Sequence, residues 1–217
     1  MGYKMYKAYI FDLDGTLLDT LDDLWTAVNF ALERYGYPLR TREEVCAFVG
    51  NGMKNLMDRA TGGAAGEKLE EILAAFKRCY AACCTQKTKP YDGVIDVLKQ
   101  IRAGGRKVAI VSNKADLAVK NLSKTYFGTL VDLAVGENEA AGIRKKPAPD
   151  SVLTAIQTLG VAKEDCVYIG DSEVDILTAK NAGIDCVSVT WGFRAKPFLL
   201  ENGAKRCVDT PLELLEL

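Results

Sequence analysis

The hydrophobic positions of the chain follow two rhythms. Tyr6-Lys-Ala-Tyr-Ile-Phe11 is an aromatic and β-branched run that ends at Asp12, which predicts a mostly buried strand. Beyond it the spacing turns helical: Leu24, Val28, Ala31, Leu32 and Tyr35 share a face until Gly36 and Pro38 stop the pattern. Thr20 and Asp23 ahead of that run have capping-box spacing, with Asp in place of the usual Glu. A second helix is expected to open at Thr41 or Arg42, and from there to about Lys87 only helical patterns occur. They cover Glu43 to Phe48, Met53 to Ala60 and Glu67 to Cys84, separated by the breaks Val49-Gly-Asn-Gly52 and Thr61-Gly-Gly63.

After Thr88-Lys-Pro-Tyr-Asp-Gly93 helices and strands alternate. A helix near Val94 to Ala103 leads to a strand at Lys107 to Val111 and a helix from about Ala115. Further strands are predicted at Leu130 to Val135, Cys166 to Ile169 and Cys186 to Val189, with helices at Asp150 to Leu159 and Val174 to Ala182 between them. Thr210 to Leu217 reads as a short docking helix. Such alternation implies an α/β fold, a parallel sheet with helices on both faces. Residues 1–17 supply its first strand, so residues 1–17 and 88–217 are expected to form the core and residues 18–87 an all-helical insertion. No internal repeat is evident.

Composition narrows the chemistry. Lys plus Arg is 28 and Asp plus Glu is 29, a net charge of −1 over 217 residues, so binding to nucleic acid or an anionic membrane through bulk charge is not expected. The longest uncharged run, Ser151 to Ala162, has 12 residues, short of the ~18 a membrane span needs. There is no histidine, which excludes a Ser-His-Asp triad, a Cys-His pair and a mixed Cys/His zinc site. The seven cysteines contain no CxxC, and Lys4, Lys7, Asp12 and Asp14 interrupt any signal-peptide pattern, so a reducing, cytoplasmic setting is expected. Cys79 and Cys83, four apart, have spacing for a soft metal but read as small buried hydrophobes.

Four strand ends carry the candidate chemistry. In Asp12-Leu-Asp-Gly-Thr16, strand alternation would turn Asp12 and Asp14 into one crevice; the same residues also suit a plain turn, with Gly15 supplying an unusual backbone angle. Val167-Tyr-Ile-Gly-Asp-Ser-Glu-Val-Asp175 repeats the plan, with Asp171 and Asp175 on one face or, equally, as ordinary dipole complements in a first helical turn. Three or four carboxylates in one crevice call for a cation, and oxygen-only ligation suits Mg2+. Ser112-Asn113 ends another strand and could present a hydroxyl and backbone N–H groups to an anion, or only cap a helix. Arg144-Lys-Lys-Pro-Ala-Pro-Asp150 is either a solvated basic loop or a proline-fixed turn aiming Lys146 at the crevice.

In this order and at these spacings the four segments resemble the haloacid dehalogenase superfamily of phosphotransferases, over essentially the whole chain. Asp12-Leu-Asp-Gly-Thr-Leu17 matches the first motif of that superfamily, Ser112 the second, Lys146 before proline the third, and Gly170-Asp-Ser-Glu-Val-Asp175 the fourth. The resemblance implies a Rossmann-like core with a small helical cap after strand one. It further implies Asp12 as nucleophile, Asp14 as acid and base, Lys146 as charge neutraliser, and Mg2+ held by Asp12, Asp14 and Asp171 with Asp175 in support. Thr16, Ser112 and Asn113 would bind substrate, joined by Gly50, Asn51 and Gly52 of the cap. Phe48-Val-Gly-Asn-Gly-Met53 and Lys145-Lys-Pro-Ala-Pro-Asp150 look most like phosphoglycolate phosphatases and their close relatives, so a small phosphate ester is the expected partner, handled by a monomer or homodimer. Pyrophosphatases, 5′-nucleotidases and phosphomutases share much of this pattern, and a non-catalytic member would need motif decay that is not seen. A dehalogenase is disfavoured, because it needs neither Asp14 nor the pair Asp171 and Asp175.

Overall fold

The computed structural model describes residues 5–138 and 142–217. The chain divides into two compact units, Met1–Leu18 with Pro90–Leu217, and Asp19–Lys89.

The first unit is built on β1 (Ala8–Phe11), β4 (Lys107–Ala115), β5 (Leu133–Glu137), β6 (Cys166–Gly170), β7 (Asp185–Val189) and β8 (Cys207–Val208). They lie in the order β5-β4-β1-β6-β7-β8, and every recorded pairing is parallel. Alternation along each strand fills two separate layers. Tyr9, Phe11, Val108, Ile110, Val167 and Ile169 bury one face against α5 (Val94–Ala103) and α6 (Asp116–Tyr126). Ile10, Ala109, Val111, Cys166 and Tyr168 bury the other against α7 (Asp150–Leu159) and α8 (Glu173–Ala182). Each fully buried aromatic or branched side chain there contributes about 1.5–3 kcal/mol. Because the helices change faces between the half containing β4 and β5 and the half containing β6 and β7, the strand order reverses at β1 and β6. Open parallel sheets hold their ligands at the carboxyl ends of the strands flanking such a reversal.

The second unit is helical: α1 (Leu21–Arg34), α2 (Arg42–Phe48), α3 (Met53–Ala60) and α4 (Leu69–Cys83), the last entered through a 3₁₀ turn at Gly66–Lys68. Leu24, Val28, Ala31 and Leu32 of α1 and Ile72, Phe76 and Tyr80 of α4 are buried at helical spacing. Thr41 caps α2 in a reciprocal box with Glu44. The chain turns from α1 to α2 around Arg40, whose carbonyl accepts from Trp25 Nε1 and Asn29 Nδ2 and whose amide donates to Asn29 Oδ1. The short strands β2 (Leu18–Asp19) and β3 (Lys89–Pro90) mark where the chain passes from one unit to the other.

Several features depart from the sequence reading. The Thr20–Asp23 capping box does not form, because the Asp23 carboxylate accepts instead from the amides of Lys87 and Thr88 and from the Thr88 hydroxyl, at 2.8–3.1 Å. Tertiary donors outcompete the helix's own first turn. The α9 helix (Lys196–Glu201) and strand β8 were too short to show a period, and β4 continues through Ser112 to Ala115. The C-terminal segment is a 3₁₀ turn at Pro211–Glu216 with a capping box between Thr210 and Glu213. None of the seven cysteines, all among the described residues, is in a disulfide.

The buried Asp23 gives a stability prediction. Asp23→Ala strips several donors of their acceptor, and the unfolding free energy is expected to fall by about 2–3 kcal/mol in urea melts. Asp23→Asn, which keeps one acceptor oxygen, should lose less than half as much. An alanine variant as stable as the parent would mean that water replaces the carboxylate.

Candidate active site

The register of the sheet assembles the site. Phe11 pairs with Ile110 on one side and Ile169 on the other, so Asp12 and Asp171, just past the ends of β1 and β6, come level with Ser112 of the neighbouring β4. The amide of Asp12 still donates to the Ile169 carbonyl at 2.8 Å. The chain then folds back on itself, with the amides of Thr16, Leu17 and Leu18 donating to the Leu13 carbonyl. Asp14 is therefore delivered by this turn and not by strand alternation, since β1 stops at Phe11.

Lys146 is the buried cation of the site, its side chain 3% exposed. Its Nζ stands 2.9 Å from Asp12 Oδ1, a charge contact without hydrogen-bond alignment, and donates to Asp175 Oδ1 at 2.6 Å and to the Tyr168 hydroxyl at 3.1 Å. Burial alone would push this ammonium down, but Asp12 and Asp175 outweigh it and hold the group well above its ordinary value. The backbone of Lys146 is clamped from β4: its amide donates to Asn113 Oδ1 at 2.5 Å, and its carbonyl accepts from Asn113 Nδ2 at 3.0 Å. Arg144 closes the same loop by gripping both carboxylate oxygens of Asp150 at 2.8 Å, which holds the Asp150 carboxyl down at about 2.

Asp175 is fully engaged. Its Oδ1 takes Lys146 and the Tyr168 hydroxyl, and its Oδ2 takes the amide and hydroxyl of Ser172. Gly170 is required beside it, since a Cβ there would lie 2.3 Å from the Asp175 carboxyl carbon. Asp171 is buried too, with Oδ2 accepting from the Phe193 amide at 2.7 Å and Oδ1 from the Thr16 hydroxyl at 3.4 Å. Two glycines make room for it. A Cβ on Gly15, whose φ is +87°, would fall 2.3 Å from Asp171 Oδ2, and one on Gly192 would fall 2.4 Å from Asp171 Cβ.

One carboxylate oxygen from each of Asp12, Asp171 and Asp175 lies within 4.8 Å of the others. Desolvation raises the Asp12 carboxyl to about 7, with Asp175 and Asp14 adding to the rise and Lys146 opposing it. Asp171 is pushed well above the carboxylate range by burial first, then by Asp175 and Asp12. With Asp14 paired to Lys114 at 3.1 Å, four carboxyl groups face two ammonium groups. Such a surplus of hard oxygen donors, crowded so that ionisation is disfavoured until a cation enters, fits a divalent cation of the Mg2+ kind.

Thr16 and Asn113, expected to bind substrate, use their side chains on Asp171 and on the Lys146 backbone respectively. Ser112 is buried, and its Oγ accepts from the Lys114 amide at 3.3 Å. Gly50, Asn51 and Gly52 lie in the second unit, in the turn between α2 and α3, where both glycines have positive φ and the Asn51 carbonyl accepts from Asn55 Nδ2. Lys54, in the first turn of α3, is paired to Glu70 at 2.6 Å. Sequence reasoning missed Lys114, Tyr168 and the Gly192–Phe193 turn. Tyr168 hides in an apolar strand, and only the need of a buried hydroxyl for partners could have flagged it.

Comparison with known proteins places this geometry. Residues 9–189 match the family described as haloacid dehalogenase-like hydrolase. A phosphoglycolate phosphatase of Colwellia psychrerythraea is 36% identical across 99% of this chain and 98% of its own, and phosphoglycolate phosphatase 1 of Pseudomonas aeruginosa is 32% identical across 98% of this chain and 79% of its own. Among solved structures, a candidate phosphoglycolate phosphatase of Lactobacillus delbrueckii subsp. bulgaricus superposes with a TM-score of 0.92 at 41% identity, covering 98% of this chain and 97% of that one. No helix among the described residues is long and apolar enough to cross a membrane.

Proposed function

The chain belongs to the haloacid dehalogenase-like hydrolases and is a phosphatase of the phosphoglycolate phosphatase-like kind, and on that premise we propose that it hydrolyses a small phosphate monoester, 2-phosphoglycolate first among them, through an aspartyl-phosphate intermediate. The observation that carries this reading is Asp12, buried at the strand reversal with Lys146 Nζ 2.9 Å away inside a cluster with Asp171 and Asp175.

A phosphate monoester is doubly anionic, so a carboxylate can reach phosphorus only where positive charge meets the equatorial oxygens. Asp12 is the nucleophile in this proposal, and Lys146 offers its charge beside the attacking oxygen. Asp12, Asp171 and the backbone carbonyl of Asp14 would hold Mg2+, which when bound supplies two positive charges against the phosphoryl oxygens. Asp175, with both oxygens already engaged, acts through Lys146 by fixing its ammonium. Asp14 gives a proton to the leaving alkoxide and takes one from the water that cleaves the aspartyl-phosphate, a role that fits a chain without histidine. Seven cysteines with no disulfide between them suit the reducing cytoplasm in which such an enzyme would work.

The test is phosphate release across 2-phosphoglycolate, uncharged alkyl phosphates, pyrophosphate and nucleoside monophosphates, with Mg2+ and with EDTA. Activity is expected only with the metal, and 2-phosphoglycolate should show the highest kcat/KM. We assign the preference for its carboxylate to Gly50, Asn51 and Gly52, whose backbone and amide side chain can meet a small anion. Asn51→Ala should narrow the advantage of 2-phosphoglycolate over an uncharged alkyl phosphate at least about 5-fold, with p-nitrophenyl phosphate turnover largely kept. If pyrophosphate or a nucleotide led tenfold, the substrate assignment would fall while the core chemistry stood. An unaltered rate in EDTA would remove the metal from the scheme.

A further inference from the structure

Lys114 is a buried lysine that no motif of the sequence reading used. It lies near the end of β4, two residues past Ser112, with its side chain 4% exposed and its Nζ 3.1 Å from Asp14 Oδ2. Placing an ammonium there is costly without an anion in contact. The backbone around it is held closely. A Cβ on Gly136 of β5 would fall 2.5 Å from the Lys114 carbonyl and 2.4 Å from Asp116 Cα, and Asp116 Oδ1 accepts from the Gly136 amide at 3.0 Å. The tail of β4 is therefore pressed onto β5, and Lys114 is fixed at its root. Asp14 is shaped from the other side by the Gly15 turn. Its Oδ1 is buried without a hydrogen-bond partner among the described residues, while Oδ2 faces Lys114.

We propose that Lys114 is the positioning residue for Asp14: it holds Oδ2, so that Oδ1 is the oxygen that delivers and retrieves the proton. The inference rests on the reading of Asp14 as acid and base. In the first half-reaction the Asp12–phosphorus bond forms, the ester P–O bond breaks, and the proton on Asp14 Oδ1 passes to the departing alkoxide. In the second, a water oxygen bonds to phosphorus as the Asp12–phosphorus bond breaks, and the water proton returns to Oδ1, which releases inorganic phosphate and restores both carboxyl groups. A swivelling Asp14 would impair both transfers without touching substrate binding. Lys114 differs in this from Lys146, which faces Asp12 and Asp175.

The test uses the full chain with Mg2+, comparing Lys114→Met, Lys114→Arg, Asp14→Asn and the Asp14→Asn/Lys114→Met double variant. Lys114→Met is expected to lower kcat for 2-phosphoglycolate about 30-fold or more, with KM within about 3-fold. With p-nitrophenyl phosphate, whose leaving group needs no proton, only the second half-reaction should suffer. Stopped flow should then show a burst of about one nitrophenolate per enzyme, followed by slow turnover. Lys114→Arg, which keeps the charged anchor, should recover most of kcat and lose the burst. Because Lys114 acts through Asp14, the double variant should be no slower than Asp14→Asn alone.

A rise in KM for every substrate with kcat preserved would overturn the proposal, making Lys114 a phosphate ligand. So would equal losses with all esters and no burst, or additive effects in the double variant. If Asp14→Asn itself gave no burst, the acid–base reading of Asp14 would fail first. Should Lys114→Met not fold, the polar Lys114→Gln replaces it: its side chain is one bond too short to hold Oδ2, so the burst is again expected, and absence of any burst there overturns the proposal equally.

Discussion

Asp12→Asn is expected to cut phosphate-ester hydrolysis by at least about 10⁴-fold, the scale of losing a covalent nucleophile, without unfolding the protein. Asn matches Asp in volume but cannot form an acyl phosphate. The substitution also removes one negative charge from a cluster in which burial already drives the Asp12 carboxyl up to about 7. In EDTA the variant should therefore melt at or above the parent temperature, since the folded state no longer crowds that carboxylate against Asp175 and Asp14. With saturating Mg2+ the order should reverse. A metal present at 100 times its Kd stabilises its holder by about 2.7 kcal/mol, and the variant has lost one of the proposed ligands. Rapid acid quench with 32P-labelled substrate should trap label on the parent and none on Asp12→Asn. Turnover within tenfold of the parent would end the covalent mechanism, and a variant that melted well below the parent in EDTA would show the Asp12 carboxylate to be structural.

Much of this site was visible in the sequence because its backbone is dictated by short-range chemistry. The expected Rossmann-like α/β core holds: β1, β4, β6 and β7 fall where their apolar runs lie, and α5 and α7 match their predicted limits. The two buried layers also follow from the expected β-α alternation, whereas the strand order is read only from the fold. The glycines of Asp12-Leu-Asp-Gly15 and Ile169-Gly-Asp171 read only as turn residues in one dimension. In the fold they prove to be close approaches, Gly15 under Asp171 and Gly170 under Asp175.

What stayed hidden involves partners far apart in sequence. Asp23 looked like part of a capping box because that reading uses neighbours three residues away, whereas its donors lie more than sixty residues on. Asn113 was expected to face an anion through its backbone, and nothing in the sequence showed that its amide side chain is matched to the Lys146 backbone 33 residues away. Lys114 and Tyr168 carried no periodic or motif signal of their own. Their importance arises from burial, and burial of a single polar residue inside an apolar strand is decided by the sheet as a whole.

Lys146 gives the sharpest contrast between neighbours. Its side chain is buried between Asp12, Asp175 and Tyr168, while Lys145 beside it is half-buried, and the Asn113 clamp fixes which of the two turns inward. Lys146→Ala is expected to lower kcat/KM about 10³-fold or more, and Lys145→Ala less than about 3-fold. Lys146→Ala also strands two buried carboxylates without their cation, a loss of about 3–5 kcal/mol in unfolding free energy. That loss should depend on pH in a definite direction. In the parent Lys146 opposes the rise of the Asp12 carboxyl, so its removal lets that carboxyl rise further above its unfolded value. A carboxyl raised in the folded state contributes stability that is present below the unfolded value and is lost as pH climbs through the folded one. The deficit of Lys146→Ala relative to the parent, measured by urea melts in EDTA, should therefore be smaller at pH 5 than at pH 8. A deficit that instead grew on acidification would mean that both carboxylates stay ionised without the lysine, held by Tyr168, Ser172 and solvent. Equal and small activity losses from the two alanine variants would return this segment to an ordinary solvated basic loop.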